Sequence, residues 1–346
     1  MKKFLISLAV LLIAGSSLES QQVKKKYEAL YRLSNGLAAA KLNGKWGYID
    51  KNYKEVIPFQ YENATDFGTD GAASVVLYEK VGYIDKEGQI VIPIQYEGTG
   101  LAFSEGLSAF RINEKWGFIN RNGKEIIPAK YTYVGMFSEG LAPFRVINSD
   151  PILQKYGFVD KEGNEVIPAI YNDVVEFSEG LAAVYVGWKE RDVLHQGFID
   201  KSGEIIISLK HKYFHPFSEG FAAVKNENEK WGFIDKEGRE IIPFQFEYAG
   251  RFSEGVAAVK LNGKYGFVDK KGKEVVPFIF EEVEPFSEGF AVGKMDGKWG
   301  FIVKEDDRPY IEFIYEEAYS FSEGFAVVKL EGEYFFINKE GKRVGN

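Results

Sequence analysis

Residues 231–243 read WGFIDKEGREIIP, and residues 252–255 follow as FSEG. The same string, with small changes, occurs nine times in a chain of 346 residues. Its first position recurs every 34 to 40 residues, at Trp46, Val81, Trp116, Tyr156, Gln196, Trp231, Tyr265, Trp299 and Tyr334. Self-similarity at a fixed period predicts a repeat architecture, in which one small unit is copied and stacked.

Each unit predicts three short strands joined by tight turns. Strand A is the type of residues 180–184 (GLAAV), strand B of residues 231–235 (WGFID) and strand C of residues 165–168 (EVIP). β-Branched and aromatic residues between turn residues are typical of strands. The A–B turn is often Asn-Gly, as at residues 262–263, and the B–C turn is Asp-Lys-Glu-Gly, as at residues 160–163. Both favour hairpins, so the unit is predicted to be a three-stranded antiparallel meander.

Strand A carries apolar side chains on both faces, because Leu181 and Ala183 alternate with Ala182 and Val184. Neighbouring units are therefore expected to stack face to face. Strand C contains a proline, which places it on an outer edge or at a bulge. These prolines are Pro58, Pro93, Pro128, Pro168, Pro243 and Pro277.

Two all-β architectures fit these units: an open, superhelical, solenoid-like array, and a closed propeller-like ring. Propellers usually have four to eight blades of four strands. Nine units of three strands therefore favour the open array, with the ring as the alternative. The domain plan is a signal peptide at residues 1–20, a lead-in with partial-repeat character at residues 21–35, and nine repeats at residues 36–346, the last truncated.

The N-terminus has the pattern of an export signal. Lys2 and Lys3 precede an apolar run at residues 4–14, and small residues follow. The run is shorter than the roughly 20 residues that span a bilayer, so no stable membrane span is expected after signal removal. We expect a secreted, periplasmic or cell-surface protein. The sequence has no cysteine, so its stability is expected to rest on packing without disulfides.

Net charge and motifs exclude several function classes. The charge is −8, which argues against a nucleic-acid partner. The sequence has no nucleophile elbow, phosphate loop or His-Glu-x-x-His motif, so neither catalysis nor a cofactor is expected. Repeated acidic residues are interpreted as turn residues and not as metal ligands. They are the glutamates of the FSEG turns (Glu105, Glu139, Glu179, Glu219, Glu254, Glu288 and Glu323) and a series of turn aspartates (Asp50, Asp85, Asp160, Asp200, Asp235 and Asp269).

The repeat is broken in two consecutive units, where the A–B turn is five residues longer, at residues 148–152 and 188–192. Insertions in a repeat protein map to loops on one face, so these loops are candidates for recognition. Trp188 has the character of an interface anchor, a sugar platform or a local lid. The candidate binding residues are Asp150, Trp188, Lys189, Arg191, Asp192 and His195. His195, His211 and His215 also raise a metal hypothesis, but histidines outside a helix need not share a face and no cysteine joins them, so variation in a degenerate repeat is preferred and no metal site is predicted.

The Lys-Trp-Gly strings at residues 45–47, 115–117, 230–232 and 298–300, with their Asp-Lys-x-Gly and FSEG turns, resemble the WG-repeat (KWG) family of bacterial β-repeat proteins. The resemblance covers residues 36–345. It implies a β-rich repeat protein and no enzymatic activity to carry over. Val81, Gln196 and Phe335 depart from the pattern.

The functional hypothesis is an exported repeat scaffold that binds a protein partner through an extended surface, with specificity from the two long loops. An envelope glycan-binding protein is the alternative, and a hydrolase with a site near the histidines of repeat five is a second one. Structural roles are expected for the anchor rings Trp46, Trp116, Tyr156, Trp231, Tyr265 and Trp299, and for Phe137, Phe177, Phe217, Phe252, Phe286 and Phe321.

Overall fold

The computed structural model describes residues 27–98, 102–146, 154–186, 195–209, 213–304 and 310–345. Within these ranges every regular element is a β-strand. The strands form nine small antiparallel sheets, which follow one another along the chain. We number these sheets as blades 1 to 9.

The strands of blades 1 to 3 are β1 (Ala29–Leu30), β2 (Leu37–Leu42), β3 (Lys45–Asp50), β4 (Glu55–Tyr61), β5 (Asn63–Ala64), β6 (Ala73–Leu77), β7 (Lys80–Ile84), β8 (Ile90–Tyr96), β9 (Leu107–Ile112), β10 (Lys115–Asn120) and β11 (Glu125–Tyr131). Those of blades 4 to 6 are β12 (Tyr133–Val134), β13 (Leu141–Val146), β14 (Lys155–Asp160), β15 (Glu165–Tyr171), β16 (Asp173–Val174), β17 (Ala182–Val186), β18 (His195–Ile199), β19 (Ile205–Leu209), β20 (Tyr213–Phe214), β21 (Ala222–Lys225), β22 (Trp231–Ile234) and β23 (Glu240–Phe246). Those of blades 7 to 9 are β24 (Tyr248–Ser253), β25 (Val256–Leu261), β26 (Lys264–Asp269), β27 (Glu274–Phe280), β28 (Glu282–Val283), β29 (Phe290–Met295), β30 (Lys298–Val303), β31 (Tyr310–Tyr315), β32 (Glu317–Ala318), β33 (Phe325–Leu330) and β34 (Glu333–Asn338).

Strands A and B are present in all nine sheets and strand C in eight, and eight sheets contain a further strand, here called the fourth strand, that pairs with strand A. This strand is only two residues long in most blades, too short to show an alternating pattern in the sequence. The three-stranded meander is therefore an incomplete description of the unit. Strand β1 lies in the segment interpreted as a lead-in and is the fourth strand of blade 1.

The fourth strands surround a common axis. One cavity is lined by Tyr31, Asp66, Glu284 and Tyr319, which follow the fourth strands of blades 1, 2, 8 and 9. Four blades meet at one cavity only if these strands form the inner edges of their sheets, so we call them inner strands. Strand C is accordingly the outer strand of each blade.

The ring closes between blade 9 and blade 1. The backbone N–H groups of Asn35 and Gly36 donate to the Glu323 carboxylate at 2.6 and 2.9 Å. The Phe336 N–H donates to the hydroxyl of Tyr53 at 2.8 Å. These contacts join residues almost 300 positions apart, which an open array would hold far from each other.

The open superhelical array predicted from the sequence is therefore wrong, and the closed ring that was its alternative is confirmed: the fold is a nine-bladed β-propeller. The physical reason lies in the side chains of the strands. Strand A lies next to the inner strand and carries small residues, such as Ala38, Ala39 and Ala40, all fully buried. Strand B lies further out and carries large rings, such as Tyr48. Sheets that approach more closely near the axis than at the rim must fan out and close.

The glycine after each anchor residue is required by the outer strand. A Cβ atom on Gly157 would lie 2.4 Å from the carbonyl oxygen of Ile167, because a register shift brings β15 across β14 at this point. The equivalent glycines would place a Cβ atom 2.3 to 2.8 Å from an outer-strand oxygen; they are Gly47, Gly82, Gly117, Gly197, Gly232, Gly266 and Gly300. In blade 9, whose described residues include no outer strand, Phe335 takes this position and is buried under Arg343.

Replacing Gly157 by alanine should lower the free energy of unfolding by about 3 kcal/mol, since backbone must move to admit the methyl group. Gly250→Ala is the control, because its Cβ atom would meet nothing closer than 3.5 Å. Chemical denaturation of both variants measures the difference. Equal stability of the two variants would show that the outer strand does not impose the glycine.

Candidate functional site

The long loops predicted to carry recognition fall largely outside the described residues. Asp150, Trp188, Lys189, Arg191 and Asp192 all lie there. The backbone of His195 opens β18 and pairs with Val186, but its side chain is not described. Recognition by these loops therefore stays a prediction.

Of the three histidines in the metal hypothesis, only the side chain of His215 is described. It is half-buried and stacks on Trp231 with ring centroids 5.1 Å apart. Its Nε2 is buried and has no hydrogen-bond partner. Burial, and then the charge of Arg251, lower the pKa of the imidazole. The described residues contain no group of three or more His, Asp or Glu placed to hold a metal.

The repeated phenylalanines pack between blades. Phe177, at the start of its FSEG turn in blade 5, lies 4.9 Å from Phe158 in blade 4, centroid to centroid, and is buried. Phe137, Phe217, Phe252, Phe286 and Phe321 are buried and make the same contact with strand B of the preceding blade. Among the anchors, Trp46 and Trp231 are buried, whereas four are half-buried: Trp116, Tyr156, Tyr265 and Trp299.

The repeated glutamates of the FSEG turns also act between blades. The Glu139 carboxylate accepts a hydrogen bond from the Gly180 N–H of the next blade at 2.9 Å and contacts Lys201 of that blade at 3.2 Å. Beside it, Ser138 donates its hydroxyl to the carbonyl of Phe177. All seven of these glutamates accept an N–H from the following blade. We call this set of contacts the inter-blade joint. The carboxylates of these glutamates are therefore engaged in holding neighbouring blades together.

The same glutamates adopt a conformation that is unfavourable for residues other than glycine. Their φ angles lie between 52° and 55°, which costs on the order of 1 kcal/mol each. The repeated turn aspartates have a local role instead: Asp160 Oδ1 accepts the N–H groups of Glu162 and Asn164, at 3.1 and 2.7 Å. This agrees with their interpretation as turn caps.

The described surface has one feature that the sequence analysis missed, a group of exposed tyrosines on the inner strands. Six tyrosines are exposed among the described residues, and five of them lie on an inner strand or one residue beyond it. These five, which we call the tyrosine face, are Tyr31, Tyr133, Tyr213, Tyr248 and Tyr319. They occupy alternate positions, while the residue between those positions is buried, as Leu30 and Val134 are. Alternation around the short inner strand is the signal that could have revealed them.

Three tyrosines of this face, Tyr133, Tyr213 and Tyr248, lie near the end of the ring where the A–B turns are, whereas Tyr31 and Tyr319 lie two residues further along their inner strands. Tyr133 pairs with Arg145, which is next to the last residue of β13. Cations pack over several of its rings: Arg145 lies 5.7 Å from the centroid of Tyr133, and Lys225 lies 5.4 Å from that of Tyr213. Tyrosine and arginine are enriched in protein interfaces, so this end of the ring has the composition of a binding surface.

The cavity on the axis is continuous with the tyrosine face, because Tyr31 and Tyr319 belong to both. Its volume is about 580 Å³, which falls in the range of ligand sites. It is lined by Tyr31, Arg32, Asp66, Glu284, Trp299, Glu317, Ala318, Tyr319 and Ser320. None of these residues was a candidate binding residue on sequence grounds, since they come from four different blades; Trp299 was expected only to have a structural role.

A family model described as a WG containing repeat matches the chain at residues 23–46, 46–80, 82–116, 116–148, 156–187, 197–231, 231–265, 265–299 and 305–334. A search of curated protein sequences gives no match. No helix in the described part of the chain is long and apolar enough to cross a membrane.

Two solved structures are similar in fold. One is a eukaryotic initiation factor, with a TM-score of 0.60 and 10% identity over 84% of this chain and 88% of that chain. The other is dipeptidyl peptidase 4 of Porphyromonas gingivalis, with a TM-score of 0.54 and 10% identity over 89% of this chain and 63% of that chain. At this identity the likeness shows the fold alone.

The inter-blade joint predicts a loss of stability in acid. Burial raises the pKa of the Glu288 carboxyl, but the hydrogen bonds from Gly324 N–H and Lys339 outweigh it, so this pKa lies below its usual value. A carboxyl whose pKa is lower in the folded state stabilises the fold above its ordinary value, and that contribution is lost as the pH falls through the lowered pKa.

Glu288→Gln should therefore lower the free energy of unfolding by about 0.5–1 kcal/mol at pH 7 and flatten its decrease below about pH 4.5. Glu340→Gln is the control, because that exposed side chain has no partner within the described ranges. Denaturation at a series of pH values measures both. Identical pH profiles for the two variants would contradict a role for the Glu288 charge in the joint.

Proposed function

Because the chain belongs to the WG containing repeat family and folds as a closed propeller, we propose that it is an exported, non-catalytic scaffold that binds a protein partner at one end of the ring. The tyrosine face is the observation that carries this proposal. Five of the six exposed tyrosines among the described residues lie on an inner strand or one residue beyond it, and a monomeric surface rarely gathers its aromatic residues in this way without a binding role.

We expect the long loops to add specificity to this surface. The support comes from the strand ends beside the first of them: β13 ends at Val146, β14 begins at Lys155, and Tyr133 pairs with Arg145 next to that end. Export rests on the N-terminal signal pattern alone. The hydrolase alternative places its site near the histidines of repeat five, of which only His215 has a described side chain.

An envelope glycan is the second candidate, since exposed aromatic rings along one surface are also what a sugar-binding protein presents. The cations over Tyr133 and Tyr213 already cover one side of those rings. The protein partner is favoured for this reason, and titration with envelope glycans would test the alternative directly.

A crosslinking capture from the cell envelope tests the tyrosine face. We expect the Tyr133→Ser, Tyr213→Ser double variant to retain less than about one tenth of the partner captured by the native chain, because truncated interface tyrosines cost about 1–2 kcal/mol each. The control is Ile90→Ser, which removes an apolar side chain that is 59% exposed at the start of the outer strand β8, beside the B–C turn at the other end of the ring.

Both variants must keep the native circular dichroism spectrum and unfolding midpoint. Equal capture by the double variant and the control would overturn the proposed surface. A third variant, with residues 147–153 shortened to Asn-Gly, separates the contribution of the long loop from that of the tyrosine face.

A further inference from the structure

The axial cavity has an excess of negative charge. It contains the carboxylates of Asp66, Glu284 and Glu317 but only one cation, Arg32. The Arg32 Nε donates to Asp66 Oδ2 at 3.0 Å, so this guanidinium already serves one carboxylate. The remaining charge of the cavity is negative.

Two of these carboxylates have acceptor oxygens that no protein group uses. Asp66 Oδ1 is buried and has no hydrogen-bond partner. Glu284 is exposed, and its carboxylate has no partner among the residues that the structure describes. Glu317 differs, because Lys329, Tyr334 and Tyr319 all donate to it. Because Asp66 Oδ1 is closed off from solvent, Glu284 is the carboxylate that remains free to accept from a hydrogen-bond donor in the cavity.

Aromatic rings form the rest of the lining. Tyr31 and Tyr319 are 40% and 44% exposed, and Trp299 also lines the cavity. Strands A and B of blades 8 and 9 already hold cations over aromatic rings. Lys294 lies 5.3 Å from the centroid of Trp299, and Lys329 lies 4.9 Å from that of Tyr334. Carboxylates beside aromatic rings bind organic cations through both charge and cation–π attraction.

A metal ion is the less suitable occupant. The described carboxylates do not form a group of three that could share one ion, and hard cations need several oxygen ligands at once. A long side chain with a cationic end satisfies carboxylates that are spread around a cavity, while its methylene stem packs on the rings.

We propose that the axial cavity receives a lysine or arginine side chain of the protein partner. This inference rests on the proposed function, because it names the chemistry by which the same end of the ring holds that partner. The tyrosine face supplies contact area, and the cavity selects a partner with a basic residue at its centre.

The test uses the full chain and a capped Gly-Lys-Gly tripeptide, with the same peptide carrying Nε-acetyl-lysine as the uncharged control. Calorimetric titration should give binding of the lysine peptide that is at least about fivefold tighter than that of the acetylated one. Glu284→Gln should weaken the lysine peptide about fivefold or more, because it removes a charge without disturbing any described contact. Glu274→Gln makes the same charge change on the outer strand β27 and should leave affinity unaltered.

Acid should also weaken binding. Burial raises the pKa of the Asp66 carboxyl, although Arg32 opposes it, so this carboxylate loses its charge at a higher pH than an ordinary aspartate does. Affinity for the lysine peptide should accordingly fall as the pH is lowered through that range.

The inference is overturned if neither peptide binds, if both bind equally, or if Glu284→Gln and Glu274→Gln have the same effect. Its failure can be told from failure of the proposed function. Partner capture that depends on Tyr133 and Tyr213, without selective binding of the lysine peptide, keeps the function and rejects the cavity. Selective peptide binding, without tyrosine-dependent capture, keeps the cavity and rejects the tyrosine face.

Discussion

The contact between the phenylalanine of each FSEG turn and an aromatic ring of the preceding blade is the interaction on which the ring depends. The ring centroids are 4.7 to 5.0 Å apart in eight joints, from the pair Tyr48–Phe67 to the pair Phe301–Phe321. No described strand is shared between blades, so side chains alone must hold neighbouring sheets at a fixed angle. A pair of buried rings does this because its area and geometry are both specific, and the glutamate and serine then fix the turn.

The joint that closes the ring uses different residues. Leu33 stands in place of the phenylalanine and packs in one cluster with Phe336. In the joint between blades 1 and 2, Asn35 replaces the glutamate, with φ of 55°, and donates its side-chain amide to the carbonyl of Gly68. Tyr53 stands where other blades have a turn glycine, keeps a φ of 63°, and reaches Phe336 with its hydroxyl. Strain at Tyr53 is therefore offset by a hydrogen bond that only a closed ring provides.

The residues that differ at these joints show how much of the fold could be predicted from the sequence. The hairpins, the turn caps and the outer position of the proline follow from residues within one unit, such as Asp160 and Pro168, because local chemistry decides them. Closure of the ring does not follow from the residues of one unit, because it depends on the angle between successive sheets. Many side chains set that angle together. Phe335 was visible as a departure from the repeat, but only the ring shows that it lies in a blade without a described outer strand and that Tyr53 lies at the closing joint. The axial cavity was beyond prediction for the same reason: Asp66 and Glu284 are more than 200 residues apart.

The distribution of variation within the repeats separates structural positions from binding positions. The phenylalanine, serine and glutamate of the joint recur in nearly every unit, because each joint must repeat the same angle if nine blades are to meet. The first residue of the inner strand takes no part in the joint and differs from blade to blade; it is Ala29 in blade 1, Tyr133 in blade 4, Asp173 in blade 5 and Glu317 in blade 9. A ring built this way can change its inner surface without changing its shape. The acidic cavity near blades 8 and 9 and the tyrosines of blades 4, 6 and 7 are therefore the part of the molecule in which specificity can reside.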